Sequence, residues 1–228
     1  MAETPDPFAH HPDLRDKIED PAVATFYRNF SVATLFADKP DHHWVLEVRH
    51  GDETREALRR AALAGHPGGD LRVFGYGSLM WNPAFHFAEV RWATLAGHAR
   101  RFILKDVFGG RGTREAPSLM AALDGGLLCD GLAFRIAQKD IETEILWRRV
   151  CVAPLQAPTF LADHAAGAIQ PDLSFDQQVH LIATGTGFLG SSRDNLASIV
   201  AHVAALDIHD EDCAALLAEV DRRLAGSN

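Results

Sequence analysis

The chain has 228 residues, enough for one well-buried core and a small appendage. Its 47% hydrophobic and 23% charged content is that of an ordinary globular protein and excludes disordered, fibrous and membrane-embedded classes. A formal charge of -9 lacks the dense Lys/Arg face that nucleic acid or an anionic membrane surface needs, so the expected partner is a small molecule or a protein.

Residues 1–70 read as an N-terminal extension, partly helical. They hold prolines at 5, 7, 12, 21 and 40 and the pairs His10–His11 and His42–His43, which are expected to be solvated surface, with no metal. The first 20 residues lack the basic and apolar regions of a signal peptide, and no apolar run approaches the roughly 18 residues of a membrane span, so the expected compartment is the cytoplasm. "DETREALRRAALAG" reads as a helix: Asp52 can cap it, Glu56 and Arg60 sit four apart, and Gly65 supplies a left-handed stop.

Residues 71–228 form the main domain. It begins with short β-rich runs broken by glycine, "LRVFGYGSL", "VRWATLAG", "ARRFILKDV", "LMAALDGG" and "DGLAFRIA". In the last, Leu132, Phe134 and Ile136 alternate with Ala133 and Arg135, the period of a strand with one buried face. Several short strands with glycine turns predict a small barrel or strongly curled sheet. "KDIETEILWRRVCV" then reads as a helix, and three more follow from Ser174 onward, so the class is α+β. Cys129, Cys151 and Cys213 show no CxxC spacing and are expected to be structural thiols in a reducing compartment.

The run "VFGYGSLMWNP" carries the chemistry. Gly75 and Gly77 allow peptide N–H groups to turn inward as a nest for a carboxylate or phosphate. A tight turn with Phe74 and Trp81 as core is the competing reading. A dinucleotide fingerprint does not fit, because its third glycine falls at Met80 and Pro83 obstructs the helix start.

"VFGYGSLMWNPAF" resembles the signature loop of the ChaC-type, glutathione-specific γ-glutamylcyclotransferases. The likeness continues in order through "ARRFILKD", "GGRGTREAPSLMAALDGG", "DGLAFRI", "EILWRR" and "FLADHAAGAIQPDLSFDQQVHLIATGTGFLG", over residues 71–200. The resemblance implies a compact mixed β-barrel flanked by helices. It also implies a cofactor-free enzyme that releases 5-oxoproline from glutathione, with Tyr76, Gly77, Ser78 and Leu79 binding the glutamyl end.

The chain also departs from that pattern. The catalytic glutamate that the resemblance places after Trp147-Arg148-Arg149 is Val150 here, and valine cannot move a proton. On a continuous helix Glu144 lies about 240° away from position 150, and Glu142 about 12 Å along the axis, so neither replaces it. Only "CVAPLQAPT" separates Val150 from "FLADH", where relatives carry a further strand and turn. Ser192 and Asn195 stand where relatives place asparagine and tyrosine. Glu115, Asp124 and Asp163 are alternative bases that read more simply as solvated turn residues, and Cys151 as a buried thiol with no histidine to activate it. Three functions stay open: cyclotransfer on glutathione or a glutathione S-conjugate, a non-catalytic γ-glutamyl-binding or regulatory protein, and altered chemistry on another small acid.

Overall fold

The computed structural model describes residues 6–23, 34, 36–48, 51–145 and 169–226. Two compact units divide the chain, the first formed by Met1–Leu95 with Asp130–Ala162, the second by Ala96–Cys129 with Asp163–Asn228.

In the first unit, helix α1 (Trp44–Val48) and helix α2 (Asp52–Ala64) precede strand β1 (Leu71–Gly75). Glu56 and Arg60 pair at 2.8 Å on α2, as their spacing requires. The caps differ from expectation: Gly51, not Asp52, is the N-cap, and Gly65 keeps a right-handed backbone (φ -79°). Asp52 already lies inside the first turn, where its charge still complements the helix dipole.

Strand β2 (Glu89–Asp106) and strand β3 (Ser118–Ile136) complete a three-stranded sheet of order β1-β3-β2. β1 runs antiparallel to the end of β3, pairing Leu71 with Ile136 and Gly75 with Leu132. Phe134, Leu132 and Ile136 are fully buried, as the alternation predicted, with Phe85 edge-on to Phe134 at 5.6 Å.

The expected barrel is corrected: among the described residues the sheet is open. Glycines taken as strand ends lie inside strands instead. "VRWATLAG" and "ARRFILKDV" are one strand that passes Gly97 at φ 75°, and "LMAALDGG" and "DGLAFRIA" are one strand through Gly125 and Gly126. At residue 126 a Cβ would fall 2.5 Å from that of Ala99, so this glycine admits the neighbouring strand rather than ending its own. Four apparent strands are therefore two, too few to close on themselves.

A second correction concerns "KDIETEILWRRVCV". Its described part is a 3₁₀ turn (Gln138–Asp140) and a one-turn helix α3 (Ile141–Glu144), and at Ile145 the backbone leaves the helical region (φ -93°, ψ 73°). The helix expected to carry Glu142, Glu144 and position 150 on one axis stops at Glu144, so helical angle and rise do not fix how those carboxylates stand to position 150.

In the second unit the three expected C-terminal helices are present as α4 (Phe175–Thr184), α5 (Ser192–Ala205) and α6 (Glu211–Ala225), with α6 packed on both others. A two-stranded ribbon, β4 (Thr186–Gly187) with β5 (Gly190–Ser191), joins α4 to α5. Val179, Ile182, Leu196, Val203, Leu216 and Val220 form the core, and Arg193 forks onto Asp221 at 2.8 and 3.0 Å. The buried Arg100 guanidinium pairs with Asp210, whose other oxygen caps α6 at the Cys213 N–H. Cys129 and Cys213 are buried thiols outside any disulfide among the described residues, and burial pushes the Cys213 thiol far above its usual range.

Ser174 and Gln177 form a reciprocal capping box at the start of α4. Ser174→Ala is expected to cost about 1 kcal/mol, lowering the thermal midpoint by about 2–4 °C in a calorimetric scan. Among the described residues no helix is long and apolar enough to cross a membrane.

Candidate active site

The glycine loop is built at the end of β1. The N–H of Gln138, followed by the Arg135 guanidinium, holds the Asp70 carboxyl below its ordinary range and ties the start of β1 to the end of β3. At the other end of β1 two glycines permit close packing. A Cβ at residue 131 would fall 2.2 Å from the Gly75 carbonyl oxygen, and one at residue 75 would press the Met80 N–H and the Phe134 ring at 3.3 Å each. Residue 131 must lack a side chain, and residue 75 leaves little room for one, if β3 is to lie under the loop.

Beyond Gly75 the chain makes a 3₁₀ turn, Ser78–Met80, anchored by the fully buried Met80 side chain. The Met80 N–H donates to the Gly77 carbonyl at 2.9 Å, and the Asn82 N–H to the Ser78 carbonyl at 2.8 Å. The three preceding N–H groups, of Gly77, Ser78 and Leu79, donate to no acceptor among the described residues. Ser78 is exposed, Tyr76, Gly77 and Leu79 are half-buried, and a Cβ on Gly77 would meet no atom of the described residues within 4 Å. Consecutive unsatisfied N–H groups on one turn make a seat for an anionic oxygen. After Pro83, Ala84 takes a left-handed backbone (φ 56°) and Phe85 enters the core.

Three carboxylates of this unit, Glu144, Glu142 and Glu56, are already engaged. Glu144, buried on α3, accepts the His86 N–H at 2.8 Å. Glu142 pairs with the buried Arg59 at 2.9 Å, and Arg59 also donates to the Ile145 carbonyl at 3.2 Å, fixing the chain where it leaves α3. Glu56 holds the same guanidinium at 2.7 Å; Arg59, and then Arg60, lowers the Glu56 carboxyl to about 2. Its folded-state value lies below the unfolded one, so this pairing contributes in full above the ordinary carboxylate range and fades as pH falls toward 2.

The expected binding residues Tyr76, Gly77, Ser78 and Leu79 therefore lie together on one turn. Trp147, Arg148, Arg149, Val150, Cys151 and Asp163 lie outside the described residues. In the second unit, Glu115 is exposed and Asp124 pairs with Arg101 at 2.8 Å. Ser192 is wholly buried, its hydroxyl donating to the Leu119 carbonyl at 2.6 Å, so it serves the packing of α5 on β3. Asn195 is half-buried on α5.

Sequence reasoning missed Glu19 and Arg59, both assigned to the extension. The available signal was Leu14 and Ile18, four apart within the proline-rich stretch, and both are buried.

The architecture is shared with a solved γ-glutamyl cyclotransferase specific to glutathione from yeast. The match has a TM-score of 0.54 at 18% identity and covers 68% of this chain and 97% of that one. The fold is thus that of the γ-glutamylcyclotransferases. The ChaC-like protein family model matches residues 71–154. The glutathione-specific γ-glutamylcyclotransferase of Escherichia coli (strain K12) is 33% identical over 192 residues, spanning 76% of this chain and 83% of its own length. That of Schizosaccharomyces pombe is 36% identical over 90 residues, 43% of its length. The chain belongs to the ChaC-like, glutathione-specific γ-glutamylcyclotransferase family.

Proposed function

We propose that this protein binds glutathione, or a glutathione S-conjugate, through the α-carboxylate of its γ-glutamyl group. The carboxylate sits on the Gly77, Ser78 and Leu79 N–H groups, with Tyr76 beside it. The observation that carries this reading is the set of three consecutive loop donors with no acceptor among the described residues. An α-carboxylate presents two oxygens to such a turn, and charge-assisted hydrogen bonds of this kind are the strong ones. Membership of a family whose named relatives are glutathione-specific supports the choice of ligand.

Cyclotransfer on this substrate needs no cofactor. The α-amine attacks its own γ-carbonyl carbon, forming the ring C–N bond. The old amide C–N bond breaks, and the proton lost by the amine is returned to the departing cysteinyl nitrogen. The nucleophile is tethered to its target, so most of the entropic barrier is removed once the head group is held. What remains is proton transfer, and Val150 offers none. The activity proposed is therefore 5-oxoproline release at a rate well below that of an enzyme with a carboxylate in place. Val150 equally favours a second reading, a γ-glutamyl-binding or regulatory protein without turnover. Residues 71–228 constitute the cyclotransferase-like domain in both readings, with residues 1–70 an N-terminal extension of it.

Titrating the purified chain with glutathione in a calorimeter, and assaying 5-oxoproline from the same mixture by chromatography, tests both. Saturable binding with slow product release is expected. Binding without product selects the second reading, and absence of binding overturns the loop assignment.

A further inference from the structure

Residues 6–23 run back over the unit that carries the loop, and three of their fastenings to it bear on the loop. The Pro7 carbonyl accepts the Val90 N–H of β2 at 3.0 Å, so the segment extends the hydrogen bonding of that strand. Phe8 stacks edge-on against Phe87 at 5.6 Å, and Phe87 against Phe134 at 5.0 Å, the ring that lies under Gly75. The third fastening is on the loop itself. The Glu19 N–H donates to the Trp81 carbonyl at 2.7 Å, and a Glu19 carboxylate oxygen accepts from the Asn82 side-chain amide at 2.8 Å.

Asn82 is the residue through which these contacts reach the donors. Its backbone N–H closes on the Ser78 carbonyl at 2.8 Å, and its side chain is held by Glu19. The amide oxygen of that side chain is buried and has no hydrogen-bond partner among the described residues, so the amide is held in place by its nitrogen. The peptide plane that carries the Ser78 carbonyl also carries the Leu79 N–H. Fixing Asn82 therefore fixes the tilt of a group proposed to hold substrate. Burial of Leu14 and Ile18 explains why the segment packs, but it does not require a carboxylate at position 19.

We infer that Glu19 is a positioning residue, clamping the loop through Asn82 so that the Gly77–Leu79 donors are aligned before a ligand arrives; the inference rests on the γ-glutamyl reading above. Donors aligned in advance lose less freedom on binding, which raises affinity without adding a contact to the ligand.

The test uses the full chain with Glu19→Ala, Glu19→Gln, Asn82→Ala and the Glu19→Ala/Asn82→Ala pair. Hydrogen exchange over residues 73–83 without ligand, and glutathione affinity by calorimetry, are read on each. Glu19→Ala is expected to speed exchange in this segment and to weaken glutathione binding about tenfold, the scale of one charge-assisted hydrogen bond. Glu19→Gln keeps an acceptor oxygen and is expected to restore most of both. The double variant is expected to behave like the single ones, since both remove the same link. A merely structural role would lower the melting temperature, give no rescue by glutamine, and leave affinity unchanged in the folded fraction. Loop exchange and affinity in Glu19→Ala equal to the parent protein's would overturn the clamp alone. A parent protein that does not bind glutathione would overturn the γ-glutamyl reading and the clamp's purpose with it, whatever the exchange shows.

Discussion

Gly77→Val is expected to abolish measurable glutathione binding while leaving the melting temperature within about 1–2 °C of the parent protein's. The separation of the two readouts follows from the surroundings of residue 77. A Cβ there meets no atom of the described residues within 4 Å, and φ (-144°) lies outside the left-handed region that favours glycine, so a side chain finds room in the folded chain. The new branches enter the space beside the Gly77, Ser78 and Leu79 donors, where the carboxylate is proposed to sit, and they displace it. Gly131→Ala is the contrasting control. Its Cβ would lie 2.2 Å from the Gly75 carbonyl oxygen, so strand β3 must move away from β1, and stability and binding are expected to fall together. Calorimetric titration beside a thermal scan on both variants checks the pair. Unchanged glutathione affinity in Gly77→Val removes this loop from the site.

The same contrast explains what could be read from the chain directly. The loop was legible because its chemistry is local: two glycines, a serine and a short strand before them specify a turn with exposed donors, whatever lies around it. The C-terminal helices were legible for a similar reason. Ser174 with Gln177, and Asp210 before the α6 pattern, are capping signals contained within four residues. Strand count was not legible, because glycine has two opposite meanings in a sheet. Gly97 bends a strand that continues, and Gly126 makes room for Ala99, yet in sequence both look like the end of a strand. Only the partner strand decides between these meanings.

The extension was the larger miss. Proline density hid a segment in which Leu14 and Ile18 are buried and Pro7, Phe8 and Glu19 act through long-range contacts with Val90, Phe87 and Trp81-Asn82. Arg59 is a further case: on α2 it looks like half of an exposed helix pair, but it is buried and reaches Glu142 and the Ile145 carbonyl, more than 80 residues away. Periodicity reports which face of a helix is apolar. It does not report that a charged residue on that helix has a distant carbonyl to satisfy.

Val150→Glu is expected to raise 5-oxoproline release from glutathione by roughly 10²- to 10⁴-fold, the range that a positioned general acid–base group supplies. Ring closure brings its own nucleophile, and the loop is proposed to bring orientation, so in this reading the step left without help is the passage of a proton from the attacking amine to the departing nitrogen. A carboxylate serves both halves of that passage and a valine serves neither. Val150→Gln matches the glutamate in size but cannot carry the proton, and it is expected to stay at the parent rate. The gained activity should fall as pH drops through the new carboxyl group's titration, since the deprotonated form is the base. Adding Gly77→Val to Val150→Glu should remove the gain, because a proton handler without a held head group has nothing to act on. A Val150→Glu protein that binds glutathione with parent affinity yet shows no gain would place the loss beyond one side chain, in the stretch between Val150 and Phe160. The non-catalytic reading would then be the one to keep.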